Sequence, residues 1–515
     1  MDRHRLNAAI WPSTAVLLIF LPWINPWSDF PAPMVLPLLA NVVCSALLMG
    51  VIAFSGMTRQ VLWWSACSAW LLAAEANTLF ALLQYFDLAG PFHPWINETP
   101  PDQIFGNLRQ RNLFASLCAM GLTVLSWRMA SSSRLLKTGR VFAAALLGLG
   151  LAISSSRTGL IEVVLLWVLA LVWRDRRPND SSRLYQHFKI LGAATIAYLL
   201  ATWLFPLVTS RNGTALTRLL AGEEGCFSRR VLWENMWELV LQKPWFGWGW
   251  GHVGYAHFIT DFKGPRFCGL VDNAHNLPLH LAVTLGLPIA VLLVVLVIFA
   301  TYRAKPWKAT DAGQQLAWTV LALISLHSLL EFPLWCEEFQ FAFFLCLWYL
   351  RGRRGQALTT GGWLKSAVWP ATKTRAVALA MGACLLLASA LVYGSYARVR
   401  QLWLPSQFRP ADRVASSILK ARDIVLFTYE VSLAQSTIDL TLENAQISLD
   451  LAVSLLQAYI SPFSLERAIA ASRALGRTNE ANFYELRYQA VFPKAYYQWI
   501  AADRKSKFFK DTTRQ

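Results

Sequence analysis

The chain is built from uninterrupted apolar blocks of about twenty residues, and block length limits what it can fold into. An α-helix rises about 1.5 Å per residue, so about 20 apolar residues cross the roughly 30 Å hydrocarbon layer of a bilayer. Backbone N–H and C=O groups find no water there, so blocks of this kind become helices that satisfy their own hydrogen bonds. Hydrophobic residues make up 55% of the 515 and charged residues only 15%, which suits a polytopic membrane protein. The first block follows the basic start MDRHR, yet no small-residue cleavage site follows it, so it reads as a first span rather than a signal peptide. The expected fold class is all-α, with about 11 transmembrane helices. Their expected places are roughly 7–24, 34–55, 61–86, 112–128, 141–155, 158–173, 190–208, 276–301, 315–332, 338–350 and 376–396.

Charge orients the spans. Lys and Arg crowd the connectors around Arg59, 128–140, 174–189, 303–308 and 351–375, and by the positive-inside rule these and the N-terminus face the cytoplasm. An odd number of spans puts the C-terminus, the 87–111 connector and the long loop at about 209–275 on the opposite face. Much of the net charge of +17 is then topology. No nucleic-acid motif accompanies it, and no phosphate-binding glycine loop points to an ATP-driven pump. Six of the eight cysteines lie in or beside spans, while Cys226 and Cys268 share the long external loop. No CxxC or Cys/His spacing suggests a structural metal. From about 397 onward the character changes: Ile447, Leu451, Leu455 and Tyr459 recur at helical spacing, and ERAIAASRALGR and NEANFYELRYQAV look like paired short helices. The expected domains are 1–396, carrying the spans and the loop, and a helical external domain over 397–515.

Five polar clusters fall on the external side: GNLRQRNLFA (106–115), SSSRTG (154–159), SRRVLWENMWELVLQKPWFGWGWG (228–251), DNAHN (272–276) and HSLLEFPLW (327–335). Charges at membrane depth are costly, so several together suggest a site. Arg157 reads as a cation snorkelling to lipid headgroups, or as a guanidinium fork that holds a phosphate through two donors. Arg229, before an amphipathic helical pattern, is a solvated loop charge or a second such fork. His275 is a capping or hydrogen-bonded structural histidine, or a base that takes or orients a hydroxyl proton. His280, one turn further, is expected to pack against a neighbouring helix. Gln110 and Asn112 anchor sugar or phosphate oxygens, or satisfy helix-end backbone groups; Asn276 and Glu331 join them as candidate substrate contacts.

In order and combination, over about 100–340, these clusters resemble the O-antigen ligase and polymerase superfamily, and more narrowly the bacterial protein O-oligosaccharyltransferases of the PglL type. The carrying residues are Gln110 and Asn112 in LRQRNLFA, Arg157 in SSSRTG, Arg229 before Trp233, PWFGWGWG, His275 in AHN, and HSLLEFPLW. The resemblance implies transfer of a glycan, with inversion, from undecaprenyl pyrophosphate to a hydroxyl of an exported protein such as a pilin. It implies a multi-pass protein of the bacterial inner membrane whose active site faces the periplasm, needing neither metal nor cofactor. His275 matches the family's essential histidine, Arg157 and Arg229 its phosphate-binding arginines, and Gln110 the glutamine of its Gln-x-Asn element. A tyrosine frequent near the end of the family's EYPLWY-like element has no counterpart here, where Phe332 and Cys336 stand. A periplasmic loop lies in an oxidising compartment, so Cys226 and Cys268 either form a disulfide or remain two packed thiols. An O-antigen ligase acting on lipid A-core is the alternative. A transporter would show an inverted repeat with broken helices at mid-membrane, and none is seen.

Overall fold

A computed structural model describes residues 3–28, 31–55, 57–100, 103–128, 133–174, 181–208, 225–269, 271–358, 371–403 and 426–512. Among the described residues there is no strand. The chain divides into two compact units, one of Met1–Gly222 with Phe299–Tyr393, the other of Glu223–Ile298 with Gly394–Gln515. In chain order the helices are α1 (Arg3–Phe20), α2 (Val35–Ser55), α3 (Arg59–Tyr85), α4 (Arg111–Trp127), α5 (Arg134–Ser154), α6 (Arg157–Val172) and α7 (Ser181–Val208). Next come α8 (Arg229–Gln242), α9 (Val253–Ile259), α10 (Leu277–Leu285), α11 (Leu287–Ala304), α12 (Ala312–Ser328), α13 (Glu337–Leu358) and α14 (Ala371–Leu402). The C-terminal part holds α15 (Thr428–Gln435), α16 (Ala445–Ala458), α17 (Pro462–Ala474), α18 (Thr478–Val491) and α19 (Pro493–Thr512).

Among the described residues, six helices are long and apolar enough to cross a membrane: Val35–Ser55, Arg59–Tyr85, Leu135–Ser154, Tyr185–Leu207, Leu287–Lys308 and Arg375–Leu402. Against the expected eleven, α4, α6 and α12 are shorter, at 17, 16 and 17 residues. Burial marks what the short ones do in the first unit. Every residue of α4 after Arg111 is buried, and the helix packs against α3, α5, α6, α7 and α12. Protein rather than lipid surrounds it, so its polar side chains must bond within the unit; Thr123, for one, donates to the Ala119 carbonyl at 2.8 Å.

The expected span over 276–301 is broken in the second unit. Leu277–Leu285 forms a nine-residue helix, Gly286 turns the chain, and the apolar run restarts at Leu287. Gly286 adopts φ 88° and ψ 161°, a region open essentially to glycine alone. A Cβ there would stand 2.2 Å from the Trp245 carbonyl oxygen, while one on Gly247 would meet the Thr284 backbone at 2.5 Å. These two glycines let the loop lie directly on the α10–α11 corner. Gly286→Ala is therefore expected to cost about 1–3 kcal/mol, read as a lowered thermal midpoint of the detergent-solubilised protein; an unchanged midpoint would show that the corner yields.

The long loop and the C-terminal helices share one core. Phe258 of α9 is buried among Leu449, Leu456, Leu465, Ile469 and Tyr488. Arg487 of α18 donates to the carbonyls of Ile259 (2.9 Å) and Thr260 (3.2 Å) and to the Asp261 carboxylate (2.7 Å). It thereby satisfies carbonyls that the end of α9 leaves without helical partners. The compact unit thus groups the loop with the tail, whereas the sequence reading placed the loop with 1–396. The reason is that α9 has its apolar face covered by α16 and α18, a pairing that local sequence does not reveal.

Candidate active site

The candidate residues other than Glu331 share one local setting, the N-terminal end of a helix. Ser156 accepts from the Gly159 N–H at 3.1 Å and caps α6, making Arg157 its first residue. Ser228 does the same for α8 through the Val231 N–H at 3.3 Å, making Arg229 the first residue there. Asn276 caps α10 through the Leu279 N–H at 3.0 Å, directly after His275. Gln110 occupies the corresponding position of α4 without using its side chain as the cap. Helix starts present unpaired N–H groups and the positive end of the helix dipole, both of which favour anions.

In the first unit a buried polar chain joins three of the candidates. The Glu331 carboxylate accepts from Asn112 Nδ2 at 2.9 Å and from Gln110 Nε2 at 3.3 Å. Asn112 Oδ1 in turn accepts from Ser156 Oγ at 2.7 Å. Both ends of the Asn112 amide are thus engaged, so this residue ties α4 to the α5–α6 turn and to the segment after α12. Gln110 Oε1 is buried and has no hydrogen-bond partner among the described residues. Arg157, next to Ser156, is half-buried.

One helical turn away lies a second polar set, of which the sequence reading had touched only His327, at the head of HSLLEFPLW. Ser116 Oγ sits 2.5 Å from Glu162 Oε1, to which it donates, and 2.7 Å from His327 Nδ1; all three residues are buried. Ser116 follows Asn112 by four residues and His327 precedes Glu331 by four, so each shares a helix face with, or directly supports, a member of the first set. The signal was readable: polar residues at a four-residue interval inside apolar helices are rarely idle.

In the second unit the histidine loop is held from both sides. Trp233 Nε1 of α8 donates to the Ala274 carbonyl at 3.0 Å, and the Ala274 N–H donates to His280 Nδ1 at 3.4 Å. The Asn273 side chain accepts from the His275 N–H at 2.9 Å, closing an Asx turn. His275 itself takes the left-handed conformation, φ 52°, and is half-buried. His280 is buried. A disulfide joins Cys226 to Cys268 with Cα atoms 5.4 Å apart, three residues before Arg229 at one end and seven before His275 at the other. Gln110, Asn112, Arg157 and Glu331 thus belong to the first unit, and Arg229, His275 and Asn276 to the second.

Three known families match segments of the chain. The family described as O-antigen ligase matches residues 142–294, the protein glycosylation ligase family matches 104–128, and the C-terminal part of virulence factor membrane-bound polymerases matches 315–507. Over these segments the chain is similar to the O-antigen ligases and the protein glycosylation ligases. All seven polar candidates lie in matched segments: Gln110 and Asn112 in the glycosylation-ligase match, Arg157, Arg229, His275 and Asn276 in the O-antigen-ligase match, Glu331 in the third. Two curated relatives from Acinetobacter baylyi are a general O-oligosaccharyltransferase and a ComP-specific O-oligosaccharyltransferase. They are each 25% identical, over 300 and 281 residues respectively. Each comparison covers 54% of this chain and 48% of the relative, so the chain spans about half the length of the curated relatives it matches.

Proposed function

We propose that the chain is a membrane oligosaccharyltransferase that moves a glycan from undecaprenyl pyrophosphate to a serine or threonine hydroxyl of an exported, pilin-like protein. The observation that carries this reading is the placement of both arginines as first residues of capped helices. Each arginine thereby stands at a helix start, whose dipole favours negative charge, and a leaving pyrophosphate develops such charge. In the reaction the acceptor oxygen attacks the anomeric carbon from the side opposite the leaving group, and the carbon–oxygen bond to pyrophosphate breaks with inversion. The electron pair leaves on the pyrophosphate, whose charge Arg157 and Arg229 offset. His275 receives the hydroxyl proton. Gln110, whose Oε1 has no partner among the described residues, accepts from a donor hydroxyl or bound water. Asn112, Asn276 and Glu331 hold the surrounding turns. The chemistry assigned to these residues requires no cofactor.

The reading includes a bacterial inner-membrane location, a bundle of about eleven crossings completed by the short helices, and a site that faces the periplasm. The names of the two Acinetobacter relatives favour a protein acceptor. The O-antigen-ligase match over 142–294 supports transfer to lipid A-core as a second reading. Co-expression in cells that make a defined lipid-linked glycan separates them: a mass increase on a pilin-like protein supports the first, and glycan found only on lipid A-core overturns it. Arg157→Lys and Arg229→Lys each keep the charge but lose the two-pronged geometry. Each is expected to slow transfer about 10- to 100-fold, the equivalent of a charged hydrogen bond worth roughly 1.5–3 kcal/mol. Initial rates with purified lipid-linked donor check this, and a parental rate in both variants would remove the arginines from the site.

A further inference from the structure

We infer that Trp237, Leu241, Trp245 and Phe246 are seated in the interfacial layer of the bilayer, so that α8 lies along the membrane surface beside the start of α11. The inference is independent of the reaction proposed above. One side of α8 is spent on the core of its unit through Leu232, Met236, Leu239 and Val240. The other side carries Trp237 and Leu241, four residues apart and 49% and 60% exposed, and the stripe runs on to Trp245 at 71% and Phe246 at 87%. A contiguous exposed patch of large apolar side chains marks a surface with a partner.

The backbone fixes where this patch lies. The Leu287 N–H donates to the Pro244 carbonyl at 2.8 Å, the Trp248 N–H to Val283 at 2.8 Å, and the Gly249 N–H to Thr284 at 3.0 Å. Trp245 and Phe246 are thereby pinned to the corner at Gly286, where the span Leu287–Lys308 begins. That span has only 6% of its apolar window buried, and Val291, Leu292, Val295, Leu296 and Val297 are all exposed. The stripe is continuous with this bare helix, and what covers the helix is lipid. The composition suits the level: tryptophan gathers where hydrocarbon meets headgroups, and lysine extends its ammonium toward phosphate there. Lys243, its Nζ 4.0 Å above the Trp248 ring, supplies that cation at the same corner.

The test uses the full chain in vesicles of phosphatidylethanolamine and phosphatidylglycerol, with the photoreactive residue p-benzoylphenylalanine in place of Phe246 in one sample. In a second sample it replaces Ile447 of α16, which is 56% exposed in the same unit. Both sites point outward, so neither replacement disturbs packing. After illumination, intact-protein mass is expected to show lipid adducts at 246 and none at 447. Absence of a lipid adduct at 246, attachment there to a second copy of the protein, or equal lipid labelling at both sites would each overturn the inference.

Discussion

Alanine in place of His275 is expected to lower glycan transfer by about 10²- to 10⁴-fold, the range a positioned general base contributes. The substitution confounds chemistry with backbone, however, because position 275 has φ 52°. Residues with a Cβ resist that conformation, and asparagine is among the few that accept it readily. His275→Asn is therefore the sharper variant: it keeps the Asx turn from Asn273 and the capped start of α10, and removes the imidazole. Both variants are expected to lose transfer to the same extent, with only the alanine form losing a little thermal stability. Transfer at the parental rate by a folded His275→Asn protein would sink the assignment. His280 is the contrasting position. It is buried and accepts the Ala274 N–H, so His280→Ala is expected to loosen the loop and lower stability.

Serine at both Cys226 and Cys268 is expected to give the second large effect, on stability rather than rate. The bridge spans 42 residues of sequence, and constraining a loop of that size stabilises by roughly 3–4 kcal/mol in the chain-entropy description. Without it, the segment that enters α8 is held by the remaining core and by the Ser228 cap. The thermal midpoint of the double variant is expected to fall well below that of the oxidised parent, while transfer at low temperature stays near parental, because neither sulfur takes part in the proposed chemistry. Reducing agent should lower the parent's midpoint to that of the variant. Equal midpoints with and without reductant would mean that the bridge carries no load.

Helices, caps and candidate residues were legible to different degrees, for physical reasons. The apolar blocks announce helices because length and hydropathy are local properties. The blocks do not fix the number of crossings: α4, α6 and α12 form where spans were expected, but at 16–17 residues they are short for a crossing, and the burial of α4 comes from surrounding helices. The break at Gly286 was hidden for a related reason. One glycine in an apolar run reads as tolerated, and what makes it a corner is the Trp245 carbonyl, brought there from forty residues upstream. Gln110, Asn112 and Glu331 were named from their clusters, but their mutual bonding was not foreseeable, since it joins α4 to the segment after α12. Ser116 and Glu162 went unremarked, and His327 entered only as the head of HSLLEFPLW, because the three sit in different helices and only the packing of α4, α6 and α12 makes them a group.

The insertion of Phe258 among the C-terminal helices, with Arg487 fastened to the end of α9, limits how this chain can be recombined. Cutting the tail away leaves α9 with an uncovered phenylalanine and unmet carbonyls, while grafting the tail onto a relative offers Arg487 nothing to grip. Loop and tail therefore fold as one piece, interrupted in sequence by membrane helices. A chimera built to change the acceptor should exchange both together, even though much of the intervening chain stays behind.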